Sequence, residues 1–181
     1  MFVMITVRPL QDRDIPQIVR YWTHSGDAHL QAMGVDLSKV PAPEQLAAGL
    51  ERQLSLPVEE RMAYCLIWEI DGVPSGHCNT NPTHFGEEAF MHLHLWEHAQ
   101  RRSGLGLRLV KASLPHFFST LQLQRLYSEP YALNPAPNRT LGKAGFVLEK
   151  EYVTTPGSIN FEQPVKRWVL TRETYEQLYR H

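Results

Sequence analysis

The chain has few cysteines and no excess of charge of either sign. Its 181 residues include two cysteines, Cys65 and Cys78, too few for the disulfide framework of a small secreted domain. Their spacing is not the C-x-x-C of zinc or redox motifs, so we expect two reduced thiols in the core. The formal net charge of −1 lacks the basic excess that is typical of nucleic-acid-binding domains.

Long apolar runs are also missing, and none approaches the roughly 20 residues that span a bilayer. Residues 1–5 lack the positive start, long apolar centre and cleavage site of a secretory signal, and they favour a first strand instead. These absences predict a cytoplasmic protein that neither spans a membrane nor binds nucleic acid. The length and the 43% hydrophobic content predict one domain over residues 1–181 with a sizeable core.

Hydrophobic periodicity predicts alternating strands and helices around one sheet. Strands are expected up to Arg8 and at 63–70, 73–80, 88–96, 123–128, 146–153 and 165–170, and helices after Pro16, at 44–56, from Leu105, at 135–144 and after Thr171. Residues 25–43 are expected to be less regular and residues 79–86 to form a turn-rich connection. This order is typical of a mixed α/β domain, of the α+β kind, with a central sheet of about seven strands.

The centre of the chain follows the order strand, basic glycine turn, helix. The turn contains Arg101, Arg102, Ser103, Gly104, Leu105 and Gly106. The first N–H groups of a helix lack intrahelical partners and carry the positive end of its dipole, so this order predicts a phosphate site. Two glycines let the backbone approach an anion closely, and the arginines add charge-assisted donors.

The pattern Arg101-x-x-Gly104-x-Gly106 resembles the pyrophosphate-binding motif of the GNAT superfamily of N-acetyltransferases. A second stretch is also similar to that family: Glu129-Pro130 after the fifth predicted strand, then Asn134, a short helix and Gly145-Phe146. The two motifs lie in the family's order within the family's succession of elements. The resemblance therefore implies a GNAT-like fold, with helices on both faces of the mixed sheet.

The resemblance also implies a reaction, in which the acetyl group of acetyl-CoA is transferred to an amine by direct attack. A backbone N–H near Leu95 would stabilise the oxyanion, and Asn134 would hold an amide of the pantetheine arm. The implied cofactor-binding residues are Leu95, Trp96, Arg101, Arg102, Ser103, Gly104, Leu105, Gly106 and Asn134. The acceptor is expected to be a small molecule, bound partly by the segment between the first helix and the second strand. Dimers are common among such folds, so a homodimer is also an expectation.

A base must take the proton of the attacking amine, and two histidines suit that task. His92 and His94 are two residues apart on a strand, so they project from the same face of the sheet. We expect His94, or else His92, to relay the proton, although both could instead be hydrogen-bonded structural histidines. Glu88 resembles, by its offset, the general base of some family members, and His77 is a further candidate.

The resemblance does not supply a general acid that would protonate the departing thiolate of coenzyme A. Many members have a tyrosine in the short helix where this sequence has Leu141. Tyr131 is nearby but lies on the other side of Asn134. The thiolate could therefore take its proton from water or from the amine.

Three other functions fit parts of the sequence. His92-x-His94 with His77, His84 or His98 could ligate a divalent metal ion, although no metal site is our main expectation. The missing tyrosine is compatible with a non-catalytic module that binds an acyl-CoA. Transfer of a different acyl group is the third. Elemental analysis of the purified protein would detect a bound metal ion and so test the first alternative. An acetylation assay on a panel of amines would test the second, since a non-catalytic module would show no turnover.

Overall fold

The computed structural model describes residues 3–96 and 104–179. Its strands are β1 (Ile5–Pro9), β2 (Tyr64–Ile70), β3 (Val73–His84), β4 (Glu88–Leu95), β5 (Arg125–Ser128), β6 (Val147–Thr154) and β7 (Gln163–Thr171). Its helices are α1 (Ile15–His24), α2 (Asp27–Ala32), α3 (Pro43–Ser55), α4 (Leu105–Pro115), α5 (Pro135–Lys143) and α6 (Arg172–Tyr179). Over these residues, no helix combines the length and the apolar character needed to cross a membrane.

The seven strands form one sheet in the order β1-β2-β3-β4-β5-β7-β6. The pair β4–β5 is parallel, and the other paired strands are antiparallel. The prediction of a single mixed sheet of about seven strands is confirmed. The parallel pair lies in the middle of the sheet, and the long connection between its strands contains α4.

Helices cover both faces of the sheet, as expected. The larger core lies between one face and α4, α5 and α6, and its fully buried side chains include Trp68, Met91, Leu109, Leu126 and Leu141. A smaller core on the other face joins Leu10, Ile18 and Ile67, with partly buried residues of α1 and α3 packed against it. The alternation predicted for β4 is observed, because Met91 and Leu93 belong to the larger core while His94 faces α1.

The parallel pair is short. Glu88, Ala89 and Phe90 of β4 pair with Arg125, Leu126 and Tyr127 of β5, and β5 ends at Ser128. The Ser128 hydroxyl donates to the carbonyl of Met91 at 2.8 Å. Beyond that contact β4 runs on to Leu95 while β5 has ended, so the second half of β4 does not pair with β5, and we call the space beside this unpaired half the cleft.

One predicted connection was wrong. β3 does not end at Thr80 but runs to His84 with a register shift between Thr80 and Thr83, because Thr83 and His84 pair with the start of β4. The segment expected to be less regular, 25–43, contains the short helix α2 and a 3-10 turn at Leu37–Lys39. The expected cap of the last helix is present, since the Thr171 hydroxyl accepts from the backbone N–H of Thr174.

Candidate active site

The first turn of α4 lies beside the cleft between β4 and β5. Gly104 precedes the helix with φ of +73°, in the left-handed region that glycine adopts without strain. A Cβ placed on Gly106 would meet no described atom closer than Leu95 Cδ1 at 3.9 Å. The packing of the described residues therefore does not require a glycine at 106, which is consistent with room kept for a ligand.

Part of the predicted phosphate site lies outside the described residues, namely Arg101, Arg102 and Ser103. The described part is brought together at one end of the cleft. Leu105 is buried in the larger core, so only its backbone can reach a ligand. The backbone N–H of Trp96 donates to the carbonyl of Ser75, which ties the end of β4 to β3.

The structure places Asn134 at the start of α5, where it would be expected to cap the helix. Within the described part of the chain its side chain makes no capping hydrogen bond, which leaves the carboxamide available for a ligand. Its backbone carbonyl accepts instead from the side chain of Asn138 at 2.7 Å. Asn138 is buried, donates also to the carbonyl of Tyr131, and accepts from Trp168 Nε1. This structural asparagine was not predicted, because nothing in the local pattern separates it from Asn134.

The structure shows what stands at the position of the missing tyrosine and where Tyr131 lies. Leu141 is fully buried in the larger core, so the substitution for tyrosine is a packing residue. Tyr131 forms an isolated bridge with Val165, and its ring meets the edge of Phe161 at 5.9 Å between centroids.

His94 sits in a cluster of aromatic side chains from α1, α2 and β3. Its Nδ1 lies 3.2 Å from the Tyr21 hydroxyl oxygen, which lies 3.2 Å from Nε2 of His29. The His94 ring stacks on His77 at 4.5 Å and meets Trp22 edge to face at 5.0 Å. The sequence predicted the apolar face of α1 but not that Tyr21 would contact His94, since that contact joins residues 73 positions apart.

His77 and His92 each make a specific hydrogen bond. Trp96 Nε1 donates to His77 Nδ1 at 2.8 Å, and His92 Nε2 donates to the carbonyl of Asn81 at 2.8 Å. Burial, with a smaller contribution from the nearby His92, lowers the pKa of His77 to about 3. Burial also lowers the pKa of His92, against the effect of the Asn81 carbonyl. Both rings are therefore neutral at pH 7.

The lowered pKa of His77 predicts that the protein becomes less stable as the pH falls. Below about pH 6.5 the unfolded chain protonates this histidine while the folded chain does not, so the free energy of unfolding falls by roughly 1.4 kcal/mol per pH unit down to about pH 3. From pH 6.5 to 5 the expected loss is about 2 kcal/mol. Urea unfolding of His77→Gln across this range should show that much less pH dependence, whereas the exposed His24→Gln should retain the wild-type slope. Parallel curves for wild type and His77→Gln would contradict the assignment.

Glu88 lies at the opposite end of β4 from Leu95. Seven residues of strand separate the two by about 23 Å. Glu88 pairs with Arg125 in a salt bridge of 3.0 Å. The candidate bases are therefore spatially divided, with His94 near the open end of the cleft and Glu88 at its closed end. Among the described residues, no group of three or more histidine, cysteine or acidic side chains is arranged to hold a metal ion.

The segment expected to form the acceptor side is fixed to the connection between β6 and β7. The backbone N–H of Asp36 donates to the carbonyl of Ile159 at 2.8 Å. The carbonyl of Gly34 accepts from the side chains of Gln163 and Asn160, at 2.8 and 2.9 Å. α2 and the turn after it are thus anchored from both sides, which gives the cleft a defined wall beside Tyr21 and His29.

Solved structures that are similar to this one include acetyltransferases. A RimL ribosomal L7/L12 alpha-N-protein acetyltransferase in complex with coenzyme A is 14% identical with a TM-score of 0.76, covering 94% of this chain and 95% of that one. The aminoglycoside acetyltransferase AAC(6')-Ib with coenzyme A and kanamycin is 18% identical (TM-score 0.72, 97% and 99% covered). A spermidine N-acetyltransferase from Vibrio cholerae with coenzyme A and spermine is 17% identical (0.76, 94% and 97%).

Sequence comparison identifies the family directly. No curated protein matches the sequence. Residues 5–147, however, match the family model described as an acetyltransferase (GNAT) domain. The match covers most of the chain and includes β4, β5, the glycine turn and the whole of the second motif, from Glu129 to Phe146. With the seven-stranded sheet and the cleft between its parallel strands, it establishes that this chain belongs to the GNAT family of acetyltransferases.

Proposed function

We propose that the protein transfers the acetyl group of acetyl-CoA to the amine of a small molecule by direct attack. The observation that supports this best is that pairing of β4 with β5 ends at Phe90, while Gly106 in the first turn of α4 lies next to Leu95 in the unpaired half of β4. A cleft in the middle of a sheet can hold an extended chain between two strands, and the helix end beside it suits a diphosphate.

The donor half of the proposal assigns a role to each cofactor-binding residue. The diphosphate binds the turn before α4, through Arg101, Arg102 and Ser103 and the backbone around Gly104. The pantetheine arm lies in the cleft, where the Asn134 carboxamide bonds one of its amides. The thioester then sits near the backbone of Leu95 and Trp96, and a backbone N–H of this region stabilises the oxyanion as it forms.

The acceptor half uses His94. The amine nitrogen attacks the thioester carbon, the C–S bond breaks, and the thiolate leaves as coenzyme A. An alkylamine is mostly protonated at pH 7, so a neutral imidazole that accepts its proton speeds the reaction. In our proposal His94 accepts the proton at Nε2, while the Tyr21 hydroxyl beside Nδ1 fixes the orientation of the ring. Tyr21 is therefore a positioning residue.

Two further observations support a cytoplasmic location and a small-molecule acceptor. Cys65 and Cys78 are both unpaired, which supports our proposal of a reducing, cytoplasmic location. The similar proteins named above act on a ribosomal protein, an aminoglycoside and spermidine, according to their descriptions. We propose a small-molecule amine here because the acceptor wall beside Tyr21 and His29 is closed by its own hydrogen bonds to the β6–β7 connection.

Binding of acetyl-CoA tests the donor half. At 100 times its Kd, acetyl-CoA should raise the free energy of unfolding by about 2.7 kcal/mol. Gly106→Val should fold, because the space around the added side chain is open, but it should weaken acetyl-CoA binding by about 10-fold or more by blocking approach to the helix end. Isothermal titration calorimetry measures both.

Gly49→Val is the matched control. Gly49 also lies within a helix, in α3, and a Cβ added to it would also enter open space, but it is exposed and belongs to neither β4 nor the first turn of α4. It should gain about the same helix propensity, because valine is a better helix former than glycine, and retain full acetyl-CoA affinity. Equal affinities of the two variants would contradict the placement of the diphosphate. Binding of acetyl-CoA without turnover on any amine would instead favour a non-catalytic module.

A further inference from the structure

A cavity of about 120 Å³ lies between α1, α3 and the face of β2 and β3, beside the proposed site of acetyl transfer. We call it the α3 cavity, and the residues that matter for its chemistry are Ile18, Trp22, Leu50, Leu54, His77 and Asn79. Four of these are apolar. An apolar cavity of about 150 Å³ accommodates benzene, so this one is close to the size of a single six-membered ring.

One buried hydrogen-bond donor of the α3 cavity has no partner within residues 3–96 and 104–179. His77 Nδ1 accepts from Trp96, so the hydrogen of the neutral ring is on Nε2. The described residues offer no acceptor to Nε2, and the side chain is only 3% exposed. An unsatisfied buried donor is rare and costly, which indicates that a ligand or solvent atom with a lone pair completes the site.

Asn79 provides the complementary group. It lies two residues after His77 on β3, so both side chains project from the same face of the strand. Its half-buried carboxamide makes no hydrogen bond within the described part of the chain, and it can both donate and accept. A hydroxyl group placed between the two residues would accept from His77 and donate to Asn79.

The lining of the α3 cavity does not suit a cation. None of the described residues that line it is acidic. The cationic side chain in this lining, Arg61, donates to the backbone carbonyls of Leu54 and Leu56 at the end of α3. A buried ammonium group without a carboxylate would be costly, so polyamines and other multiply charged acceptors cannot place a second amine there.

The α3 cavity adjoins His94 through shared walls. His77 and Trp22 line the cavity, and both also contact the His94 ring, at 4.5 and 5.0 Å between centroids. A molecule that fills the cavity with an apolar ring would therefore have a short side arm within reach of His94.

We propose that the α3 cavity holds the body of the acceptor and that the acceptor is a primary amine on a short arm attached to an uncharged ring with a hydroxyl group. This inference rests on the proposed acetyl transfer and extends it to the substrate class. His77 and Asn79 hydrogen-bond to the hydroxyl group, the apolar residues of the cavity pack against the ring, and the amine reaches His94.

The binding part of the inference is tested without any amine, by calorimetric titration of phenol and of toluene. Phenol should bind about 10-fold more tightly than toluene, because only phenol satisfies the buried donor. Leu50→Phe fills the cavity and should abolish phenol binding. Leu46→Phe makes the same change one turn earlier on the same helix, at a residue that does not line the cavity, and should bind phenol as the wild type does. Absence of phenol binding, or equal binding by Leu50→Phe, would overturn the inference.

The substrate part is tested by kcat/KM for tyramine, 2-phenylethylamine, propylamine and spermidine. Tyramine should exceed each of the others by about 10-fold or more, and Leu50→Phe should remove that preference while the control Leu46→Phe retains it. A preference for spermidine, or a tyramine preference retained in Leu50→Phe, would overturn it. If acetyl-CoA binds but no amine is acetylated, the proposed acetyl transfer fails, and the phenol titration still decides whether the cavity is a ligand site.

Discussion

Replacement of His94 by glutamine is expected to lower kcat by roughly 10²–10⁴-fold. Glutamine is similar in size and can still hydrogen-bond to Tyr21, but it cannot accept a proton from the amine. The Kd for acetyl-CoA should be unchanged, because in our assignment the donor contacts the backbone of β4 rather than this side chain. Steady-state kinetics with an acetylated amine and calorimetry with acetyl-CoA measure the two effects separately.

Two further variants distinguish a proton-accepting His94 from a structural one. His92→Gln should have a much smaller effect on kcat, because His92 donates its Nε2–H to the carbonyl of Asn81 and lies further from the open end of the cleft. Tyr21→Phe should lower kcat moderately and change its pH profile, since the hydroxyl beside Nδ1 is lost while the ring packing is kept. Normal turnover by His94→Gln would remove this residue from the mechanism, and a larger loss in His92→Gln would transfer the role.

Replacement of Arg167 by methionine is expected to lower the free energy of unfolding by about 3–5 kcal/mol. Arg167 Nε lies 2.5 Å from Oε1 of Glu129, whose side chain is only 7% exposed, and Glu129 also accepts from the Tyr152 hydroxyl. The guanidinium group lies over the rings of Phe90 and Tyr127 as well. Removing the cation leaves a buried carboxylate without its counter-charge, which is far more costly than losing an exposed ion pair.

Arg125→Met is the matched control for that change. Arg125 also pairs with a glutamate, across the parallel pair β4–β5, but its side chain is 54% exposed and its partner Glu88 is 30% exposed. Its loss should cost about 0–1 kcal/mol. Thermal unfolding should separate the variants by about 10 °C, since 1 kcal/mol corresponds to roughly 2–4 °C in a domain of this size. The double variant Arg167→Met, Glu129→Gln should regain part of the stability; equal melting temperatures for the two arginine variants would contradict this account.

The Arg167 cluster also affects the candidate site. Glu129 follows β5 directly and begins the second family motif, at the point where β5 separates from β4. Its negative charge raises the pKa of His92, although burial of that ring prevails. Arg167→Met should therefore leave Glu129, on the β5 side of the cleft, less firmly held, in addition to lowering the stability of the fold.

The order of elements and the glycine turn before α4 could be predicted from local residue patterns alone. Both depend on neighbouring residues: apolar side chains recur at the period of a strand or helix, and glycine at 104 permits the left-handed φ that precedes the helix. The same local logic placed His92 and His94 on one face of β4 and Thr171 at the start of α6. It failed at β3, whose last residues look like a turn until their pairing partners in β4 are known.

The surroundings of those residues depend instead on tertiary packing. The fold separates Glu88 from His94 by the length of β4, buries Leu141, and brings Tyr21 and His29 from two helices to the ring of His94. It also pairs Nδ1 of His77 with Trp96 and makes the same ring part of the wall of the α3 cavity. Contacts of this kind join residues far apart in the chain, so no local period or propensity encodes them; they are set by how the helices pack on the two faces of the sheet.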